Sequence, residues 1–307
     1  MIYAPITLFT YNRPEHTRKA VESLLKNAEA KESDLFIFSD GPKTEEKRAA
    51  VEENRKYIHT IDGFKSVTII EREKNWGLAN SLIAGITEIV NQYGRVIVVE
   101  DDLILSPYFL QYMNEALEKY KDDERVASIS AFLNPIDCKA PETFFLRYFA
   151  CWGWATWKRG WDLLINDDRE LLRRLRWKKN DFNIGGTGPF YGILLCDKIG
   201  LNSSWAVRFY ASQFLAGKLQ LFPGKTLTVQ TGTDGSGTHG KGINKVFNSM
   251  RLCMRPIQLH EIPVEEDREM YEAFARFYGV NKDRKIFRDN FDKLKSVVRR
   301  IFGLDYR

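Results

Sequence analysis

The sequence predicts an α/β fold in which a mostly parallel sheet is flanked by helices, and three observations carry that prediction. Strand-like apolar runs alternate with amphipathic helical stretches four times before residue 100, which demands parallel strands joined by helical crossovers. The fourth run, Val96 to Val99, holds four β-branched residues without a polar break, as suits a strand buried on both faces. It ends in Glu100, Asp101 and Asp102, at the position where open α/β sheets bind their ligands.

Taken in order, a strand is expected over Ile2 to Phe9, then a helix with Pro14 near its first position and Ala20, Leu24, Leu25 and Ala28 on its apolar face. DLFIFS forms the second strand, closing at Asp40 and Gly41, and TEEKRAAVEENRKYIHTI a charged amphipathic helix. SVTIIERE is the third strand. The helix after it begins near Gly77 and spaces Ala79, Leu82, Ile83, Ile86 and Ile89 along one side. Beyond the acid-bearing strand, Ser106 is expected to cap a helix with Pro107 at its first position, and Val126 to Ala131 to complete the sheet.

The aromatic stretch FFLRYFACWGWATWKRGW reads as irregular, and DDRELLRRLRWKKN and NSSWAVRFYASQFLAGK as helices. GKTLTVQ is a strand leading into the glycine-rich run GTDGSGTHGKG. From Pro263 the chain reads as a helical tail, with Ile286, Phe287, Phe291, Leu294, Val297, Val298 and Ile301 on one face among Lys and Arg. That face docks onto the domain by default; the alternative is peripheral attachment to an anionic membrane surface. The expected organisation is a donor-binding part over 1–105, an acceptor-binding and catalytic part of the same domain over 106–242, and the tail over 243–307.

The 46 basic and 41 acidic residues nearly balance, so the net charge of +5 does not imply nucleic acid as a partner. Cys138, Cys151, Cys196 and Cys253 are widely spaced with no CxxC pair, which argues against zinc and for reduced thiols in a cytoplasmic chain. No basic segment leads into an apolar stretch at the amino terminus, and no 18 apolar residues run together, so neither a signal peptide nor a spanning helix is expected.

Three adjacent carboxylates at the end of a buried strand repel one another and lose solvation, which is tolerable where a cation or ligand donors gather. The bland alternative is a solvated acidic loop. Strand geometry puts Glu100 and Asp102 on one side and Asp101 on the other, and Asp102 is the first choice for a metal ligand.

TYNRP after the first strand, SDGP after the second, NWGLANS at the third helix and VVEDDL after the fourth strand carry a family resemblance, strengthened by CWGWATWKRGW and GTDGSGTHG. Over roughly residues 4 to 240 the chain resembles nucleotide-sugar-dependent glycosyltransferases of the GT-A fold, similar to glycosyltransferase family 2 and to N-acetylglucosaminyltransferase I. The resemblance implies Mn²⁺ or Mg²⁺ as cofactor, Asp101 facing the ribose and the metal shell, and Glu100 facing the donor sugar. It also implies that Asp40 accepts a hydrogen bond from a pyrimidine imide, although Asp-Gly-Pro is equally an ordinary turn.

Beside the likeness, Arg13 precedes the first helix, where its fork suits a phosphate oxygen pair, or is a surface arginine. Thr10, Tyr11 and Asn12 adjoin it as candidates for the donor pocket, and Asn75 and Gly77 open a helix whose amino end points into the cleft. For the base that activates the acceptor hydroxyl, Asp197 and Asp234 compete, and a salt bridge is the alternative role for Asp197. Trp152, Trp154 and Trp157 are candidates for a stacking wall around an acceptor sugar, with at least one of them in the core. His239 is a candidate second metal ligand and Lys241 a phosphate contact, on a loop that either closes over the donor or simply connects to the tail.

The resulting expectation is an inverting transferase, UDP-sugar favoured, that moves a hexosyl or N-acetylhexosaminyl group to a glycan or lipid-linked acceptor in bacterial surface polysaccharide synthesis. It would sit in the cytoplasm or on the inner face of the membrane. A sugar nucleotidylyltransferase competes but lacks the glycine-rich, basic loop directly after the first strand that cradles a triphosphate. An inactive sugar-binding module on the same fold is the third reading.

Overall fold

The computed structural model describes residues 2–232 and 250–281. β1 (Ile6–Thr10), α1 (Pro14–Leu24), β2 (Asp34–Ser39), α2 (Glu45–Ile58), β3 (Ser66–Glu71), α3 (Leu78–Tyr93) and β4 (Arg95–Glu100) follow one another as the periodicity predicts. β5 (Leu103–Leu105) and α4 (Phe109–Lys119) lead into β6 (Val126–Ser130), β7 (Thr143–Leu146) and β8 (Trp154–Trp157). Five helices then run in succession: α5 (Lys158–Trp161), α6 (Asp168–Leu175), α7 (Lys179–Phe182), α8 (Phe190–Lys198) and α9 (Trp205–Leu215). β9 (Leu219–Pro223), β10 (Thr228–Gln230) and α10 (Arg268–Asn281) complete the described chain.

Eight strands form one sheet in the order β3-β2-β1-β4-β8-β6-β9-β7, and β10 pairs with β5 in a second, two-stranded ladder. β3, β2, β1 and β4 are mutually parallel. β8 then runs antiparallel to both β4 and β6. The stretch expected to be irregular thus supplies two strands of the main sheet. Its alternating bulky side chains fill the two faces of a strand rather than a loop. β8 lies directly beside the acid-bearing strand, so the sheet runs without interruption across the division expected at residue 105.

Val96 to Val99 are buried on both faces, as their composition predicts. Ile97 and Val99 join one apolar cluster with Ile6, Leu8 and residues of α1 and α4, while Val96 and Val98 join another with Phe9, Phe38 and residues of α3, α6 and α9. Period-2 alternation therefore feeds two cores, one on each side of the sheet.

Two boundaries shift for local reasons. β1 starts at Ile6 rather than Ile2 because Pro5 offers no amide to the ladder. Ser106 caps a turn rather than the helix itself: its hydroxyl accepts from the Tyr108 amide at 3.2 Å, and α4 starts at Phe109. The expected helix from Asp167 is interrupted between α6 and α7, with the Asp167 carboxylate capping α6 through the Arg169 and Glu170 amides.

The first part of the tail docks on the domain. Met270, Phe274 and Tyr278 of α10 are buried in a third cluster with Phe144, Phe222 and Leu146. The apolar face from Ile286 to Ile301 lies outside the described residues. Because Phe274 is fully buried and its ring lies 5.7 Å from that of Phe222, Phe274→Ala is expected to lower stability by about 3–5 kcal/mol. Chemical denaturation checks this; a loss under about 1 kcal/mol would mean that α10 is not part of the cooperative core.

Candidate donor site

β1 and β4 are neighbours with Phe9 opposite Glu100, so the turn after β1 faces the acids after β4. Pro14 opens α1 with its ring-fixed φ, and the Thr17 amide and hydroxyl both donate to the Arg13 carbonyl, at 3.0 and 3.1 Å. That geometry fixes Arg13 at the lip of the sheet. Its Nη2 donates to Asp101, in a short contact, and to Asp102 at 3.1 Å. Strand alternation had put these two carboxylates on opposite sides; β4 ends at Glu100, the chain turns at 101–102, and both reach one guanidinium.

The electrostatics follow from burial. Glu100 is pushed up to about 8, first by burial and then by repulsion from Asp102 and Asp101. Asp101 is pushed up to about 6 by burial, which outweighs the attraction of Arg13. Burial disfavours the charge on Arg13, but Asp101 and Asp102 more than offset this and keep the guanidinium charged. Three carboxylates are thus held against a single guanidinium among the groups acting on them. Among the described residues no three potential ligands converge as a formed metal shell, so a cation here would rest on one or two carboxylates and the donor's own phosphates. Asp102, partly accessible from the cleft, and Asp101 would hold it.

Arg13 also keeps capacity for an anion. Its Nη1 is buried with no hydrogen-bond partner among the described residues. Above it sits Gly232, where a Cβ would come within 2.4 Å of Asp102 Oδ2 and 3.0 Å of Arg13 Nη1, so a larger residue would have to push the Asp102 carboxylate off its place on Arg13. The Thr231 amide donates to the Asp102 carbonyl at 2.8 Å and places the strand there. Asp234, His239 and Lys241 lie outside the described residues.

The other expected donor-side residues mostly brace one another. Thr10 is buried; its hydroxyl accepts from Asn54 Nδ2 at 3.1 Å and its carbonyl from the Asp40 amide at 3.1 Å. The Tyr11 hydroxyl accepts from the Lys43 amide at 3.0 Å, while Asn12 is half-buried. The Asp40 carboxylate accepts from the amides of Gly41, Trp76 and Gly77 at 3.0, 2.8 and 2.9 Å. Asn75 Nδ2 donates to the Gly41 carbonyl at 2.8 Å, and Gly77, with φ of 75°, turns the chain into α3. Three acceptor positions of Asp40 are thereby taken by the backbone, which makes it first the clasp of this loop.

Sequence reading missed Trp76 and Cys151. Trp76 is 43% exposed between the two flagged residues, its ring under the Arg72 guanidinium at 4.0 Å. Cys151 is pushed up by burial and then by Glu100, which puts the CWGW segment beside the acids. No local signal marked Cys151, because only the pairing of β4 with β8, with Val98 opposite Trp154, brings the start of β8 to the end of the acid-bearing strand.

Two expectations are corrected. Trp154 is fully buried, with Phe149, Trp161, Trp205 and Phe209 around its ring, so it presents no face to an acceptor; Trp157 is likewise core. Trp152 is half-buried and packs edge-on against Phe132, and it alone of the three retains accessible surface. Asp197 anchors the α8–α9 turn by accepting from the Ser204 amide at 2.8 Å. Burial pushes it up, and the side-chain charges acting on it are Asp168 and Arg208, so the alternative role, a structural anchor beside an arginine, is the one these contacts describe.

The clasp generates a test. Asp40→Ala leaves three amides without their acceptor and is expected to cost roughly 2–4 kcal/mol of stability. Urea titration reads this directly, and a variant as stable as the parent would return Asp40 to a purely ligand-facing role.

Comparisons with known proteins complete the description. No curated protein matches the sequence. Among solved structures, a mannosyltransferase from Pyrobaculum calidifontis in complex with GDP-Man and Mn²⁺ is similar at 16% identity and a TM-score of 0.36, covering 56% of this chain and 47% of its own. TarS of S. aureus is similar at 13% identity and TM-score 0.36, covering 74% and 36%, and a UDP-glucose pyrophosphorylase complexed with UDP-glucose at 11% and 0.36, covering 72% and 90%. The chain therefore spans about half the length of the first and about a third of the second. These likenesses are too distant to carry function. The model of the family described as Glycosyl transferase family 2 matches residues 6–185, more than half of the chain and the whole of the Arg13, Asp40 and Glu100–Asp102 framework, and the chain belongs to that family.

Proposed function

We propose that the protein transfers a sugar from a nucleotide-sugar, a UDP-sugar by preference, to a glycan or lipid-linked acceptor, with inversion and with a divalent cation, Mn²⁺ or Mg²⁺. The observation that carries this reading is the arrangement of Arg13, with one guanidinium nitrogen on Asp101 and Asp102 and the other without a partner among the described residues. Such a group holds two carboxylates in place while presenting a donor to a phosphate oxygen.

When bound, the cation supplies positive charge to a diphosphate leaving group whose negative charge grows as the glycosidic bond breaks. The chain's own residues do the rest. Asp102 and Asp101 set where positive charge collects, and Arg13 prevents them from folding back on each other. Glu100, largely buried with only part of its surface open at the end of β4, faces the donor sugar in this reading. Trp76 and Gly77, clasped by Asp40, form the wall before α3, and Trp152 lies on the acceptor side. Hexosyl against N-acetylhexosaminyl transfer, and a place in bacterial surface polysaccharide synthesis, extend the same proposal.

Release of nucleoside diphosphate from a panel of nucleotide-sugars, with and without acceptor, tests it. Acceptor-dependent release supports transfer. Pyrophosphate-dependent formation of a nucleoside triphosphate would favour a nucleotidylyltransferase, and binding without release a sugar-binding module. Asp102→Asn is expected to reduce turnover at least about a hundredfold by removing an anionic ligand of the cation. A near-normal rate with unchanged metal response sinks the metal assignment.

The pH dependence follows from signs. Glu100 and Asp101 titrate high in the ligand-free fold, so the fold holds protons that the unfolded chain has lost, and stability falls as pH rises from about 4 to about 8. A cation held by Asp101 and Asp102 must displace the Asp101 proton, so its affinity rises as pH rises through about 6, and its charge in turn favours ionised Glu100 beside it. The gain in melting temperature on adding Mn²⁺ should be larger at pH 8 than at pH 5.5, and Asp102→Asn should flatten the difference. A gain independent of pH would remove these carboxylates from the cation site.

A further inference from the structure

From the last turn of α6 to the first residue of α7 the chain carries Arg173, Arg174, Arg176, Trp177, Lys178 and Lys179, all exposed. Trp177 is 84% exposed, although the chain on either side of it is firmly seated. Leu171, Leu172 and Leu175 of α6 and Phe182 of α7 are buried in the core shared with α8 and α9, so the turn is fixed and its outward face is set by the fold. An indole held outside a rigid frame is not waiting for this domain's own core.

The charges around the ring are of one sign. Arg176 lies over the indole at 4.7 Å, and Lys179 lies over the Tyr191 ring at 5.2 Å. Arg173 is paired with Glu170 at 2.9 Å, while Arg174 and Lys178 face solvent. The neighbouring acids are Glu170, already engaged, and the exposed Asp181. A Trp belongs at the boundary between water and hydrocarbon, with an apolar body and a polar N–H, and clustered Arg and Lys are drawn to anionic headgroups. A soluble polyanion would use the cations but gives the indole no apolar layer to enter.

We propose that this turn is a docking surface for an anionic phospholipid membrane, with Trp177 inserted at the headgroup level and Arg174, Arg176 and Lys178 on the lipid phosphates. The surface shares no residue with the site of Arg13 and the three acids. Among the described residues no helix is long and apolar enough to cross a membrane, so attachment through this turn is peripheral.

The full chain should co-sediment with phosphatidylcholine vesicles containing roughly a third phosphatidylglycerol, and not with phosphatidylcholine alone, and rising salt should weaken the association. Trp177→Ser, and separately the pair Arg174→Glu and Lys178→Glu, should each weaken it by about tenfold or more. All three positions are exposed, so unfolding curves and solution release of nucleoside diphosphate should match the parent. Brominated lipid should quench a fluorescence component that Trp177→Phe lacks. Undiminished vesicle binding by these variants would overturn the proposal, as would equal binding to neutral vesicles. So would competition by soluble polyphosphate that survives in Trp177→Ser, since the patch would then be a polyanion site.

Discussion

One guanidinium shared by two carboxylates at the end of a buried strand is the constraint on which the rest of this structure depends. β4 is apolar on both faces, and its last residue delivers the chain into a region where each added negative charge raises the energy of the others. Arg13 relieves that repulsion only because β1 lies beside β4 and the Asp101 amide donates to the Phe9 carbonyl at 3.2 Å, which sets the two strand ends level. α1 is held in turn by Ser23, whose hydroxyl accepts from the Leu105 amide at 3.1 Å just after the acids. Parallel pairing, helix start and acid turn are thus one arrangement. The relief is partial, since Glu100 and Asp101 still titrate well above the usual carboxylate range.

Much of this was legible in the sequence because it rests on short-range chemistry. A β-branched run ending in acids, a proline at a helix start and amphipathic spacing after each strand all act within a few residues, and β1 to β4 with their helices follow from them. The meeting of Arg13 with the acids was legible as two separate candidates, though not as a pair, because strand pairing brings together residues 88 positions apart. Asp40 shows the converse. Asp-Gly-Pro signalled a turn, and nothing local said that the carboxylate would be claimed by amides 36 and 37 residues onward.

The aromatic stretch misled for a physical reason. Apolar and aromatic residues on both sides of the chain hide the period-2 pattern that marks a strand, because both faces of β8, Trp154-Ala155-Thr156-Trp157, are buried and each takes one large ring. Trp154 and Trp152 differ by two residues, yet the sheet ladder ends at Trp154 and Gly153, with φ of 75°, turns the chain so that only Trp152 escapes the packing. Asp197 misled differently. A carboxylate after an apolar helix looks available until the following helix is placed, and the Ser204 amide then claims it.

The family framework covers residues 6–185, but the sheet and the cleft are completed by chain outside it. β9 inserts between β6 and β7, and β10 pairs with β5 so that Gln230 lies opposite Leu103. That pairing carries Thr231 and Gly232 directly over Asp102. The floor of the site, Arg13 and the acids, therefore comes from the shared framework, whereas its edge is set by a return strand specific to this part of the chain. Substitutions in the floor alter whether charge is balanced at all. Changes in the return strand act instead on the backbone above that charge, where Thr231 is tied to the Asp102 carbonyl through both its amide and its hydroxyl and Thr228 to the Trp152 carbonyl.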